Sequence, residues 1–295
     1  MGTVVVMRGW WQDLTDLVLP ADCAGCGAPR TALCPRCRAT LDAGVPRRVR
    51  PVPEPAGLPV VHAVAPYAAE VRALLLAHKE RGALALAGVL GAALAGAVRV
   101  GLGEGGAGAG PAGVPGRGPV LLVPVPSARW AVRARGHDPV RRMAFAAAGE
   151  LRRTGTPARV TAVLRQRRAV ADQAGLDARR RLENLAGALE VTPGGGRLLG
   201  AGRVVLVDDL MTTGATLAEA ARALREAAVS RPGGGTAVYE AITREGREER
   251  RTGAHRERRE WVHSAPEKAA VNTLGRVQHA AVIAAPCDSF EINRN

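Results

Sequence analysis

Two adjacent acids and a hydroxyl-rich turn are the residues of this 295-residue sequence best suited to chemistry. Asp208 and Asp209 follow the apolar run Val204 to Val207, and Thr212-Thr213-Gly214-Ala215-Thr216 comes after two intervening residues. Paired carboxylates accept hydrogen bonds from neighbouring hydroxyls. A Thr/Gly turn that opens a helix offers hydroxyls and free backbone N–H groups, which suit a phosphate dianion. Together they point to a ligand with a vicinal diol and a phosphate, the two features of ribose 5-phosphate. The bland alternative is an acid that caps a helix beside threonines that fill a turn.

A second constellation is Cys23-Ala-Gly-Cys26 followed by Cys34-Pro-Arg-Cys37. Two C-x-x-C pairs seven residues apart can set four thiolates around one tetrahedral metal, and the residue types favour a structural zinc, Zn²⁺. A Cys₄ set leaves no open position for catalysis, and disulfides, the competing reading, are disfavoured in a cytoplasmic chain. A third group is Arg129, Arg133 and Arg135, ahead of Gly136, at the exit of the apolar run Val120 to Val123, where a second phosphate group could be held.

These residues need elements to position them. Val204 to Val207 reads as a buried parallel strand ending at the acids, the end at which open α/β sheets bind ligands, and Leu217 onward reads as a helix. Further strands are expected at Val60 to Tyr67, Pro119 to Pro126, Arg159 to Leu164, Ala186 to Val191 and Thr236 to Thr243. Helices are expected at Trp10 to Leu19, Glu70 to Lys79, from about Ala83 to Val98, and at Pro139 to Arg153, the last with proline in its first turn. Residues 43–59 form a Pro-rich connection and Gly101 to Gly118 a Gly/Ala/Pro loop. His78 is expected to pack or cap. The basic stretch Arg165 to Leu185 is long for a loop in a compact domain, and its preferred reading is a lid over pyrophosphate. The pattern predicts an α/β fold with a parallel sheet flanked by helices, divided into a zinc module at 1–45, a main domain at 60–243, and a tail at 244–295 whose charge-rich start argues for disorder or an exposed helix.

Composition narrows the class. Hydrophobic residues make up 47% of the chain and aromatics 3%, with a net charge of +14. The charge is concentrated: from Arg129 to Asn184 there are 14 arginines against five acids, whereas beyond Thr243 ten basic side chains face eight acidic ones. A field of that sign beside the expected phosphate site attracts anions, whether a pyrophosphate-bearing metabolite or a nucleic-acid strand. Scarce aromatics count against binding single strands by base stacking. Met1 to Pro20 carries Asp13 and Asp16 and lacks the core of a secretory signal, and no apolar run reaches the length of a membrane span, so a cytoplasmic location is expected.

The strand, acids and T-T-G-x-T turn resemble the signature of the type I phosphoribosyltransferases. That resemblance implies that Asp208 and Asp209 hold the 2- and 3-hydroxyls of phosphoribosyl pyrophosphate, that Thr212 to Thr216 hold its 5-phosphate, and that Mg²⁺ accompanies the pyrophosphate. Other motifs narrow it: D-L-x-x-L-V-L-P ending at Pro20, the four-cysteine knuckle, Tyr67-x(10)-His78-Lys79-x-Arg81-Gly82, Val123-Pro-Val-Pro126 with Arg135-Gly136, and a basic stretch with Gln173-x-x-Leu176 and Arg181-x-x-Asn184. Together, from Trp10 to Thr243, these resemble the ComF (competence protein F) family of zinc-bearing, phosphoribosyltransferase-like proteins. The resemblance implies pentosyl transfer, or else a role in single-stranded DNA handling and uptake with the competence machinery, or ligand sensing without turnover. One motif departs: the family's R-G-[FY]-N-Q is here Arg135-Gly136-His137-Asp138-Pro139.

Overall fold

The computed structural model describes residues 22–42, 44–104, 118–168, 170, 178–229, 277 and 279–293. In chain order its elements are α1 (Pro35–Asp42), β1 (Arg47–Val49), β2 (Val60–Pro66), α2 (Ala69–Glu80), α3 (Leu86–Glu104), β3 (Val120–Pro124), α4 (Arg129–Arg135) and α5 (Pro139–Arg153). They continue as β4 (Ala158–Val160), β5 (Leu164–Gln166), α6 (Ala178–Leu185), β6 (Leu189–Val191), α7 (Gly195–Leu199), β7 (Arg203–Leu210), α8 (Ala215–Val229), β8 (His279–Ala285) and a 3₁₀ segment (Cys287–Asn293).

Six strands form one sheet in the order β1-β2-β8-β7-β3-β4, parallel except where β1 meets β2. The central strands read as unbroken apolar runs because both their faces are covered. Alternation assigns the faces. Leu122, Val205, Val207, Ala281 and Ile283 point into a core shared with α2, α3 and α5, and Leu121, Leu206, Ala280 and Val282 into a core shared with α8. One stretch of α3, Leu86–Gly103, has the length and apolarity to cross a membrane, and 56% of it is buried inside the fold. It packs on α5, β2 and β8, the behaviour of a core helix.

Three expectations are corrected. The tail does not stand apart: His279–Ala285 is β8, inserted between β2 and β7, so the sheet is completed by residues assigned above to a disordered tail. Its uncharged run Ala280 to Ala285 is buried on both faces, which outweighs the charged residues before it. The expected strand at Arg159 to Leu164 divides at Thr161–Val163, where the Val163 N–H turns back to the Thr161 carbonyl, giving β4 in the sheet and β5 outside it. The expected strand at Ala186 to Val191 shortens to β6, which pairs antiparallel with β5 and is not part of the main sheet. A further strand, β1, lies within the Pro-rich connection. The elements expected at Trp10 to Leu19 and Thr236 to Thr243 lie outside the described residues.

Candidate functional site

The strand order fixes where a ligand can enter. From β3 the chain passes through α4 and α5 to β4 on one side, and from β7 it passes through α8 to β8 on the other. Two neighbouring parallel strands whose connections diverge leave a crevice at their carboxyl ends, the common ligand position in such sheets. The sequence-predicted groups emerge at that end: the acids and threonine turn from β7, and the arginines of α4 from β3.

Asp208 and Asp209 lie in the last turn of ladder between β7 and β8, with Asp208 in register with Val282, and they are 8% and 6% exposed. The Asp209 N–H donates to Asp208 Oδ1 at 2.8 Å. Lys79, near the end of α2 and 130 residues away, donates from Nζ to Asp209 Oδ2 at 2.8 Å. Burial and the neighbouring Asp209 carboxylate push the Asp208 carboxyl well above the ordinary carboxylate range, against the pull of Lys79. Burial works against the Lys79 ammonium, but the Asp209 carboxylate prevails and holds it above the ordinary lysine value.

The turn after the acids has the form of an anion cradle. Met211 is buried and its N–H closes on the Ala284 carbonyl at 3.0 Å, which anchors the turn to β8. Gly214 sits at φ +74°, which favours glycine, and a Cβ there would press on Leu58 at 3.1 Å and Pro51 at 3.3 Å. Its carbonyl accepts the Ala218 N–H at 2.9 Å and starts α8, whose first turn leaves N–H groups without helical partners. Thr212 is exposed, Thr213 and Thr216 are half-buried, and Ala215 is buried. Arg181 of α6 donates from Nη1 to Thr212 Oγ1 at 3.3 Å, bringing a guanidinium to the cradle.

The three arginines after β3 separate. Arg129 and Arg133 are exposed on α4. Arg135 turns away to the end of α2, donating to the Lys79 carbonyl and the Glu80 carboxylate, each at 3.3 Å. His78 is buried, its Nε2 lies 3.3 Å from the Pro139 carbonyl, and burial holds its imidazole below the usual histidine range. Sequence reasoning missed Lys79 and Arg181 as site residues. For Lys79 a signal existed: only residues 79 and 268 are lysine among 41 basic side chains.

In the N-terminal module, Cys23, Cys26, Cys34 and Cys37 bring their sulfurs within 4.8 Å of one another, close enough to hold a metal ion. The Cys34 N–H points at Cys23 Sγ from 3.3 Å and the Cys37 N–H at Cys34 Sγ from 3.4 Å. A Cβ at residue 25 would fall 2.7 Å from Cys37 Sγ, so Gly25 lets the knuckle close. Burial disfavours the Cys23 thiolate, yet backbone N–H groups around its sulfur bring the thiol down to about 6. Burial pushes the Cys37 thiol far above its usual range.

No family model and no curated protein matches the chain. The chemistry therefore has to be read from the geometry.

Proposed function

We infer that the chain binds a phosphoribosyl ligand, best matched by phosphoribosyl pyrophosphate, at the carboxyl ends of β3 and β7. The observation that carries this reading is the juxtaposition of a buried acid pair with a glycine-started helix N-terminus only a few residues on. Asp208 and Asp209 accept the ribose hydroxyls, and Thr212, Thr213, Gly214, Ala215 and Thr216 receive the 5-phosphate. Arg129 and Arg133 line the β3 side, where the pyrophosphate would extend, and Arg181 approaches from α6. Mg²⁺ arriving with the ligand would shield the pyrophosphate oxygens as negative charge builds on the leaving group. With the ligand so held, transfer of the pentosyl group to an acceptor is a matter of positioning and charge stabilisation.

The same reading gives the four cysteines a structural Zn²⁺. Tetrahedral zinc with sulfur bonds of about 2.3 Å separates its ligand sulfurs by about 3.8 Å, which suits the cluster here. Backbone N–H groups aimed at Cys23 and Cys34 stabilise thiolates, the ligand form.

Isothermal titration of the purified protein with phosphoribosyl pyrophosphate, with and without Mg²⁺, tests the proposal, with ribose 5-phosphate and pyrophosphate titrated separately to divide the site. Binding that needs Mg²⁺ and is lost in Asp208→Asn supports it; no heat with any of the three ligands refutes it.

A further inference from the structure

A helix leaves its last four carbonyls without internal partners. In α2 these belong to Ala77, His78, Lys79 and Glu80, and two of them are satisfied from far away in sequence. The Ala77 carbonyl takes the N–H groups of Arg81 and Ala83 at 3.2 and 3.1 Å, an ordinary local closure. The His78 carbonyl instead lies 3.2 Å from His137 Nε2, and the Lys79 carbonyl accepts Arg135 Nη1 at 3.3 Å. Both side chains come from the junction of α4 and α5, where Gly136 at φ +73° turns the backbone sharply. The stitch is reciprocal, because His78 places Nε2 3.3 Å from the Pro139 carbonyl and packs its ring 6.1 Å from that of His137. Arg135 Nε donates to the Ala131 carbonyl at 3.1 Å, which holds the guanidinium, and His137 Nδ1 lies 3.1 Å from the Arg135 carbonyl.

The residue between these fastenings is Lys79. A lysine on the last turn of a fraying helix spreads over many rotamers, whereas one on a pinned turn is directed. A cation at a helix C-terminus is also favoured by the helix dipole, which suits Arg135 at this position. We propose that His137, with Arg135, is a positioning residue: it caps α2 from outside and thereby holds Lys79 on Asp209, which sets the charge of the acid pair that receives the ligand. Only the last step, from acid pair to ligand, rests on the phosphoribosyl reading. The proposal gives a role to the position where the chain departs from the R-G-[FY]-N-Q pattern, and it assigns Arg135 to the helix end and not to a phosphate.

The scarcity of lysine supplies a direct test, since acylation with acetic anhydride followed by mass spectrometry reports on Lys79 with Lys268 as the internal reference. His137→Phe keeps the ring volume without a donor, and His137→Gln keeps a donor near Nε2. In ligand-free full-length protein, His137→Phe should raise the Lys79 to Lys268 labelling ratio by about fivefold, with His137→Gln staying near wild type. In the same variants, affinity for phosphoribosyl pyrophosphate with Mg²⁺ should fall about tenfold in His137→Phe and recover in His137→Gln. An unchanged labelling ratio in a folded His137→Phe protein overturns the proposal. If that variant does not fold, Arg135→Met, which frees the Lys79 carbonyl and the Glu80 carboxylate but leaves His137 in place, decides by the same ratio. Failure of the wild type to bind phosphoribosyl pyrophosphate sinks the phosphoribosyl reading and leaves the labelling result to judge the cap.

Discussion

The four thiols near the N-terminus and the acid pair on β7 pose one problem, the gathering of groups that repel one another once ionised, and they meet it differently. At the cysteines, backbone N–H groups converge on the sulfurs, and the nearby Arg36, within electrostatic reach of Cys26 and Cys37, is bonded to Glu70 at 2.8 Å. Such a cluster is close enough to hold a metal ion. At Asp208 and Asp209 the Lys79 ammonium, on a long side chain, supplies the countercharge, and Asp208 is left resisting ionisation. A cluster neutralised by a metal is closed and structural, whereas one neutralised by a movable lysine can exchange that partner for a ligand. Glu219 marks the opposite limit. It is a buried carboxylate on α8 that accepts the Leu189 N–H at 2.9 Å and two bonds from Arg222 at 2.7 Å. Burial works against its charge, but these donors hold it below the ordinary range.

Stripping the metal should have the largest effect. Dialysis against a chelator, or Cys37→Ser, should release one zinc per chain by elemental analysis and lower Tm by about 10 °C. A Tm unmoved by chelation would put the thiols and the acids in the same class and break the contrast.

Next comes Asp208→Asn, where function and stability should part. Calorimetric affinity for phosphoribosyl pyrophosphate should fall by about 100-fold, because the ligand hydroxyls and Mg²⁺ favour an ionised acceptor that Asn cannot become. Stability at pH 7 should rise by about 1 kcal/mol in urea unfolding. The sign follows from linkage: the raised carboxyl keeps its proton in the native state at a pH where the unfolded chain has lost it, so it lowers stability as pH rises above the unfolded value. The stabilisation by Asn should therefore shrink as the pH is lowered toward 4. A variant that loses stability at pH 7 would mean the pair is not frustrated.

Glu219→Gln should do the reverse, costing about 2 kcal/mol at neutral pH with ligand affinity nearly unchanged. Its depressed carboxyl stabilises the fold above the unfolded value and loses that contribution as pH falls, so wild type and variant should converge in acid. Smallest is Lys79→Met. The ammonium is about a third exposed, so solvent screens the pair and about 1 kcal/mol should be lost at pH 8. That difference should vanish once the acids are protonated, and a loss that persists at low pH would show that Lys79 matters only for packing.

What could be read from the sequence follows the range of the interactions. β7, its acids, its turn and α8 lie within 27 consecutive residues, and the cysteine knuckle within 15, so local pattern and spacing sufficed to place them. The pairing of Lys79 with Asp209 spans 130 residues, and no local pattern encodes it. Arg135 illustrates the limit from another side, since an arginine after a strand reads the same whether it faces a phosphate or a helix end. The Leu189 backbone is held by Glu219 and Arg222 because β6 left the sheet, a departure that the apolar run Ala186 to Leu189 did not disclose. β8 was missed because its partners β2 and β7 are both distant in sequence, and a short alanine-rich run carries little strand propensity of its own.

The place of β8 also governs how this protein is made. Until residues 279–285 leave the ribosome, β2 and β7 face each other across an empty lane, each with an open edge able to recruit strands from other nascent chains. Emergence of residues 279–285, after that of the site itself, is then the event that completes the sheet. A premature stop anywhere before β8 yields no partial domain, only an unsealed one that the cell's chaperones and proteases must clear.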